Sequence, residues 1–206
     1  MSQADCPVLV VDDYSNDETA ERALSSGEDR VSIASPDEKI GLGNARQKCI
    51  VKVDTIFAIR LDADGEFLPG RIGRFVDALE GGSTVVFDAC ELFDGVSSKR
   101  IGGLDMPEFM RTPGAMVRTF ERNYLPGPTC RGVNAEFAER IGYDRGLPTG
   151  EDIDFNLRAL TGEERFEILP SVRHSHYHYS SRLSRALDFQ RGTLWPKCSL
   201  NAIIKM

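Results

Sequence analysis

An apolar run, Pro7-Val8-Leu9-Val10-Val11, stops abruptly at Asp12-Asp13. A short, unbroken, β-branched run of this kind predicts a strand covered on both faces, as in a parallel sheet. Ser15-Asn16-Asp17 supplies N-cap residues, and a helix is predicted from Glu18 to Ser25. Arg30 to Ala34 predicts a second strand, and Gly41-Leu42-Gly43-Asn44 opens a helix reaching about Val53. Thr55 to Leu61 predicts a third strand, ended by Asp62-Ala63-Asp64-Gly65. From Leu68 to Glu80 the apolar residues Ile72, Phe75, Val76 and Leu79 recur at helical spacing. Ser83 to Leu92 returns to strand.

Strand and helix therefore alternate over the first part of the chain. This predicts an α/β fold with a parallel or mostly parallel sheet and helices on both faces. In such sheets ligands bind beyond the carboxyl ends of the strands. Asp12-Asp13 and Asp62-Ala63-Asp64 both fall there. Residues 93 to 132 are rich in Gly and Pro and read as irregular, and loops of that length are commonly functional. Helical patterns resume at Asn134 to Ile141 and at Glu151 to Leu160. A short strand, Phe166 to Leu169, a segment with three histidines and a helix from Ser181 to Gln190 complete the pattern. No repeat or linker is visible, so a single domain over 1–206 is expected.

Composition narrows the class. A hydrophobic fraction of 41% with 28% charged residues is that of a globular chain. The net charge of -7 argues against general nucleic-acid binding, which calls for a basic surface. An anionic substrate stays compatible with it, because a bound divalent metal reverses the local field. The N-terminal residues have no secretory pattern, and no apolar run approaches the ~20 residues of a membrane span. Cys6, Cys49, Cys90, Cys130 and Cys198 are scattered without a Cys-x-x-Cys pair. They read as reduced cysteines of a cytoplasmic protein without a zinc site.

Several constellations could carry chemistry. Asp62 and Asp64, two positions apart where a strand breaks, can reach one cation, and Mg²⁺ or Mn²⁺ suits such oxygen donors. A solvated turn is the plain alternative. Glu151-Asp152-Ile153-Asp154 opens a helix and is either an acidic cap or the source of a general base for a hydroxyl. Asp12-Asp13 reads as a strand-end turn, a nucleotide contact, or the acidic pair of a receiver-type signalling domain. Arg46 lies one turn into its helix and reads either as a surface arginine or as a side chain within reach of a nucleotide. His174, His176 and His178 alternate, so a strand would point them to one face, either toward metal or phosphate or as a polar surface strip.

In order along the chain, these motifs resemble family 2 glycosyltransferases of the GT-A fold. Val10-Val11-Asp12-Asp13-Tyr14-Ser15-Asn16-Asp17-Glu18-Thr19 is similar to the family's strand-Asp-Asp-x-Ser-x-Asp-x-Thr element. Gly41-Leu42-Gly43-Asn44-Ala45-Arg46 resembles its Gly-x-x-x-Ala-Arg helix start. Arg60-Leu61-Asp62-Ala63-Asp64, followed by Leu68-Pro69, resembles its Asp-x-Asp element. Gly150 to Arg158 resembles its Glu-Asp segment, and Pro170 to His176 the strand after it. The resemblance runs from about residue 7 to 192.

The resemblance implies an inverting enzyme that moves one sugar from a nucleotide-diphosphate sugar to an acceptor hydroxyl. The acceptor would be a glycan, a lipid-linked molecule or a protein. Asp12 or Asp13 would meet the nucleobase, with Arg46 nearby and Asp62 near the ribose. Asp64 would hold the divalent metal, and His174 or His176 would approach the metal or diphosphate. Asp152, with Glu151 beside it, would be the base. A nucleotide and metal half would span about 1–92, and an acceptor and catalytic half about 93–206.

Two departures shape the expectation. Family members carry a further strand and helix ahead of the Asp-Asp strand, whereas six residues precede Pro7 here. The implied fold is N-terminally shortened, and loss of a central strand would bare apolar surface and favour a homo-oligomer. The Gln-x-x-Arg-Trp of processive synthases is not matched, since Gln190-Arg191-Gly192-Thr193-Leu194-Trp195 has a different spacing. Transfer of a single sugar is therefore expected, in the cytoplasm or peripherally at a membrane. A truncated or inactive glycosyltransferase-like binding or assembly module is the alternative, with the receiver-type domain third.

Overall fold

The computed structural model of the protein describes residues 6–25, 29–104, 131–147, 150–161, 165–178 and 200–205. The predicted helix from Ser181 to Gln190, and Cys130 and Cys198, lie outside the described residues. The chain runs β1 (Val8–Asp12), α1 (Thr19–Ser25), β2 (Val31–Ala34), α2 (Leu42–Val51), β3 (Phe57–Asp62), β4 (Gly65–Phe67), α3 (Arg71–Glu80) and β5 (Val85–Asp94). It continues through β6 (Arg100–Leu104), β7 (Arg131–Asn134), α4 (Ala135–Ile141), α5 (Glu151–Thr161), β8 (Phe166–His178) and β9 (Leu200–Lys205). Among the described residues no helix is long and apolar enough to cross a membrane.

All the strands join one sheet, ordered β2-β1-β9-β3-β7-β5-β8-β4, with β6 also paired to β5. Its pairings separate the strands predicted from the sequence from those that were not. The predicted strands β1, β2, β3, β5 and β8 all run in one direction. The unpredicted β4, β6, β7 and β9 all run the opposite way. The expectation of a mostly parallel sheet thus needs correction at the level of neighbours. Only β1/β2 and β5/β8 are parallel pairs, because antiparallel strands are interleaved between the others. Crossover helices return the chain to the same end of the sheet and so make parallel strands. The interleaved strands arrive by other connections.

Most of the unpredicted strands lack the apolar runs by which strands are recognised. β4 is Gly65-Glu66-Phe67, β6 holds Gly102-Gly103, and β7 is Arg131-Gly132-Val133-Asn134. Gly132 is opposite Ile59 on one side and Val86 on the other, and a Cβ there would collide with the Phe75 ring. Close approach requires glycine at that point, although glycine weakens the strand signal.

β9 changes a second expectation. The shortened fold implied bare apolar surface at a missing central strand. In the structure β9 lies between β1 and β3 and pairs antiparallel with both, so neither presents an open edge to the other. Its register sets Leu200 beside Asp12 and Asn201 beside Asp62.

Helices cover both faces, as expected. On one, Leu9, Val11, Ala58, Val85 and Phe87 pack with Ala45, Cys49 and Ile50 of α2, Phe137 of α4 and Phe155 of α5. On the other, Ile59 and Val86 pack with Ile72, Phe75 and Leu79 of α3. Cys6, Cys49 and Cys90 are buried thiols, and burial pushes Cys49 up to about 12. α3 starts at Arg71 rather than Leu68, because Gly70 takes a left-handed φ of 79° after Pro69.

That start is anchored from within. Arg71 is fully buried and forms a two-pronged pair with Asp88 of β5, at 2.7 and 3.0 Å, between the rings of Phe67 and Phe75. The pair ties the segment after Asp62-Ala63-Asp64 to the middle of the sheet. Removing one partner of a buried ion pair leaves an uncompensated charge. Asp88→Ala should therefore lose about 3–5 kcal/mol in denaturant unfolding. A loss well below ~1 kcal/mol would show that the pair is not needed.

Candidate active site

The carboxyl ends of β1 and β3 lie on the same side of the sheet, one strand apart. Asp12, the last residue of β1, is buried and locally satisfied. The Ser15 backbone N–H donates to both its carboxylate oxygens at 3.3 Å, and the Ser15 hydroxyl donates as well. Asp13 reaches forward to the start of α2, where its carboxylate accepts from Ile40 N at 2.8 Å and Gly41 N at 3.1 Å. Gly41, at φ 81°, has no side chain with which to cap α2. Asp13 supplies that anion at the positive end of the helix and so fixes α2 against β1.

Asp62 closes β3 and accepts from Arg60 Nη2 at 2.6 Å. Asp64 sits partly exposed in the turn to β4, and its carbonyl accepts from Tyr177 N at 2.8 Å. The backbone of β8 passes alongside, with His176 opposite Gly65 and His174 opposite Phe67. β8 runs beyond the predicted Phe166 to Leu169, so His174, His176 and His178 occupy alternate positions of one strand.

α5 brings the third group of carboxylates. Glu151 is 2% exposed and pairs directly with Arg46 Nη1. The Asp152 side chain, 20% exposed, lies 3.9 Å from the same nitrogen. Asp154 faces outward and pairs with Arg158 one turn on, at 2.6 Å. Gly43 allows α2 to come this close. A Cβ there would be 3.1 Å from the Asp144 carbonyl and 3.6 Å from the Glu151 Cβ.

Arg46 thus joins residues that are distant in sequence. Its guanidinium touches Glu151, lies 3.9 Å from Asp152, and lies 3.8 Å from Asp62. Burial and the neighbouring Arg60 lower it to about 10, against the opposing pull of Asp62 and Asp152, so it remains charged at neutral pH. Sequence reasoning placed Arg46 near a nucleotide and did not anticipate its burial among carboxylates.

Arg60, Arg131, Tyr143 and Asn156 were also missed as functional candidates, and all four are buried behind the carboxylates. Tyr143 follows α4, and its hydroxyl accepts from Arg60 Nη1 at 3.0 Å and from Arg131 Nη2. Arg131 Nη1 donates to Asn156 Oδ1 on α5. Burial would lower Arg60, but Asp62, Tyr143 and Asp152 outweigh it and hold Arg60 above its ordinary value. Burial lowers Arg131. Burial would raise the Tyr143 phenol, but Arg131, Arg60 and Arg46 together bring it below its ordinary value. One signal was available in the sequence. Arg60 stands two positions before Asp62 on a strand, which puts both on one face.

The donors suit a hard cation. Asp62 and Asp64 offer oxygen ligands of the kind Mg²⁺ and Mn²⁺ prefer. Among the described residues no cluster of three metal-ligating side chains occurs.

The model of the family described as Glycosyl transferase family 2 matches residues 2–142. The chain belongs to this family. Its match takes in Asp12-Asp13, Arg46 and Asp62-Ala63-Asp64 together and removes the receiver-type reading. This glycosyltransferase-family chain is 28% identical over 201 residues to Succinoglycan biosynthesis protein ExoU of Rhizobium meliloti (strain 1021), covering 89% of the chain and 58% of that protein. It is 24% identical over 200 residues to ExoO of the same organism, also a succinoglycan biosynthesis protein, covering 87% of the chain and 54% of that protein. The chain therefore spans just over half the length of these relatives.

Two solved structures share the GT-A fold at a TM-score of 0.62 and 17% identity, each over 82% of this chain. One is residues 1–349 of S. aureus TarS, of which 50% is covered. The other is GalNAc-T7 with UDP, GalNAc and Mn²⁺, of which 37% is covered. The α/β fold of this glycosyltransferase-family chain is thus that of GT-A proteins.

The Arg46 contacts generate a test. Arg46→Met leaves Glu151 buried without a counter-charge and should destabilise the fold by about 3–5 kcal/mol. Arg46→Met combined with Glu151→Leu should recover much of that loss in denaturant unfolding, because the pair is then removed together. A double variant no more stable than Arg46→Met alone would contradict the pairing.

Proposed function

We propose that this chain holds the donor-binding and catalytic groups of an inverting glycosyltransferase, moving one sugar from a nucleotide-diphosphate sugar to an acceptor hydroxyl. The observation that carries the reading is the convergence of Asp62 and Asp152 on Arg46. It brings the carboxyl end of β3 to the first turn of α5, on the side of the sheet where the fold places ligands.

In this reading the end of β1, with Asp12 and Asp13, forms the nucleobase side, and Arg46 borders the nucleotide. Asp62 lies toward the ribose. Asp64, at the exposed turn, would hold the divalent metal, and the register of His176 beside Gly65 supports a place for His174 or His176 near the diphosphate. When bound, Mg²⁺ or Mn²⁺ supplies charge stabilisation for the departing diphosphate. The Mn²⁺ and UDP in the GalNAc-T7 structure support that choice by likeness of fold.

Asp152 and Glu151 divide the work at α5. Asp152 is the more exposed and is proposed as the base that takes the acceptor hydroxyl proton. The hydroxyl oxygen then bonds to the anomeric carbon as the bond to the diphosphate oxygen breaks. Attack opposite the leaving group inverts that carbon in a single displacement. Glu151, buried against Arg46, holds the first turn of α5 in place. The succinoglycan biosynthesis relatives favour a glycan over a protein acceptor.

Two expected outcomes test the reading. UDP or GDP with Mn²⁺ should raise the melting temperature, and Asp64→Ala should abolish the metal-dependent part of that rise. The absence of a shift with any nucleotide would favour a binding or assembly module. Asp152→Asn should lower transfer by about 10²–10⁴-fold, the usual worth of a general base, while nucleotide binding stays nearly intact. Normal turnover in Asp152→Asn would remove it from that role.

A further inference from the structure

Behind the carboxylates, two guanidiniums share one oxygen. The Tyr143 hydroxyl accepts from Arg60 Nη1 and from Arg131 Nη2. Each arginine uses its other terminal nitrogen for a second contact. Arg60 Nη2 donates to Asp62, and Arg131 Nη1 donates to Asn156 on α5. An unbroken side-chain path, Asp62–Arg60–Tyr143–Arg131–Asn156, therefore connects the end of β3 to the helix that opens with Glu151 and Asp152. Arg60, Arg131, Tyr143 and Asn156 are 5%, 2%, 6% and 1% exposed, so water does not compete for the contacts among these four.

The path is stiff. A guanidinium is a planar fork whose nitrogens cannot move independently. A shift of the phenol oxygen would rotate the Arg60 fork and with it the partner of Asp62. The tyrosine is itself held at two points. Its ring stacks on Phe155 of α5 at 4.8 Å between centroids, and its backbone N–H donates to Gln47 Oε1 of α2 at 2.6 Å. The Arg131 guanidinium lies over the same Phe155 ring at 4.1 Å. Packing alone would be served by the ring. The oxygen is what lets two buried cations meet at one acceptor.

We propose that Tyr143 is a positioning residue for glycosyl transfer, its hydroxyl coupling Asp62 on the donor side to α5, so that Asp62 and Asp152 keep a fixed separation. The inference rests on the roles proposed above for those two carboxylates. Neither the family match nor the resemblance of motifs assigns Tyr143 a role.

Tyr143→Phe keeps the ring and its stack and deletes only the shared oxygen. Binding is read by calorimetry with UDP and with GDP, each in Mn²⁺. Affinity should fall about tenfold or more, in line with the cost of small misplacements at a site. Ile72→Val, in the core on the other face of the sheet, controls for lost stability and should keep wild-type affinity. Arg60→Lys keeps the charge but loses the fork, and Tyr143→Phe should add little to its effect because both break one path. Unchanged affinity in Tyr143→Phe, or additive losses in the double variant, would overturn the inference.

A ligand-free arm separates this inference from the donor-site reading. In NMR spectra, the Arg60 and Arg131 guanidinium protons and the Asp62 carboxyl carbon should all shift in Tyr143→Phe, with the Asp12 carboxyl carbon unmoved. An unmoved Asp62 signal would overturn the coupling. Wild-type protein that binds neither nucleotide would count against the donor-site reading, and the NMR arm would still decide Tyr143.

Discussion

Three carboxylates from two separate elements converge on the guanidinium of Arg46, and the geometry of the site follows from that contact. A buried charge without a partner is too costly to persist, so Arg46 and Glu151 can be buried only together. Their pairing draws α5 onto α2. Asp13 holds α2 to the end of β1, and Asp62 brings in β3. Four elements are thereby locked by charge at the edge of the sheet where catalysis is proposed. Arg60, Arg131 and Tyr143 form a second layer behind them, in which one phenol oxygen lets two cations lie close together.

The sheet sets the scale on which these groups meet. β9 separates β1 from β3, and neighbouring strands lie about 4.7–4.9 Å apart, so the Asp12 and Asp62 positions stand roughly 10 Å from each other. On the far side, the Arg71–Asp88 pair anchors the start of α3 to β5 and limits how far the Asp62-to-Phe67 segment can drift. The site is thus bounded by a strand on one side and a buried ion pair on the other. Neither contributes a proposed catalytic group.

Much of the candidate site was legible because its acidic residues punctuate the chain. Asp12-Asp13 and Asp62-Ala63-Asp64 end apolar strands, and Glu151-Asp152 begins a helix, so each could be placed from local pattern alone. Their partners could not. Arg46 reads as a surface arginine from its own surroundings, and it is 5% exposed only because Glu151, 105 positions later, returns to meet it. Arg131 falls within the Gly- and Pro-rich stretch that reads as loop, and Tyr143 follows a helix without any motif. Long-range pairing of this kind leaves no periodic trace.

The alternation of apolar strands with amphipathic helices was enough to determine the α/β class and the common direction of β1, β2, β3 and β5. It also determined the end of the sheet at which the acidic motifs collect. Those features depend on nearest neighbours along the chain, on burial of apolar runs and on turn chemistry. Tertiary structure alone decided that β8 would join them in direction, that β4, β6, β7 and β9 would run antiparallel to all five, and that β9 would lie between β1 and β3. It also decided which carboxylates are held by arginines and which remain partly open to solvent. The physical reason is the same in each case. Pairing of a short, glycine-bearing or late strand, and pairing of buried charges, are rewarded only once distant segments have been brought into contact.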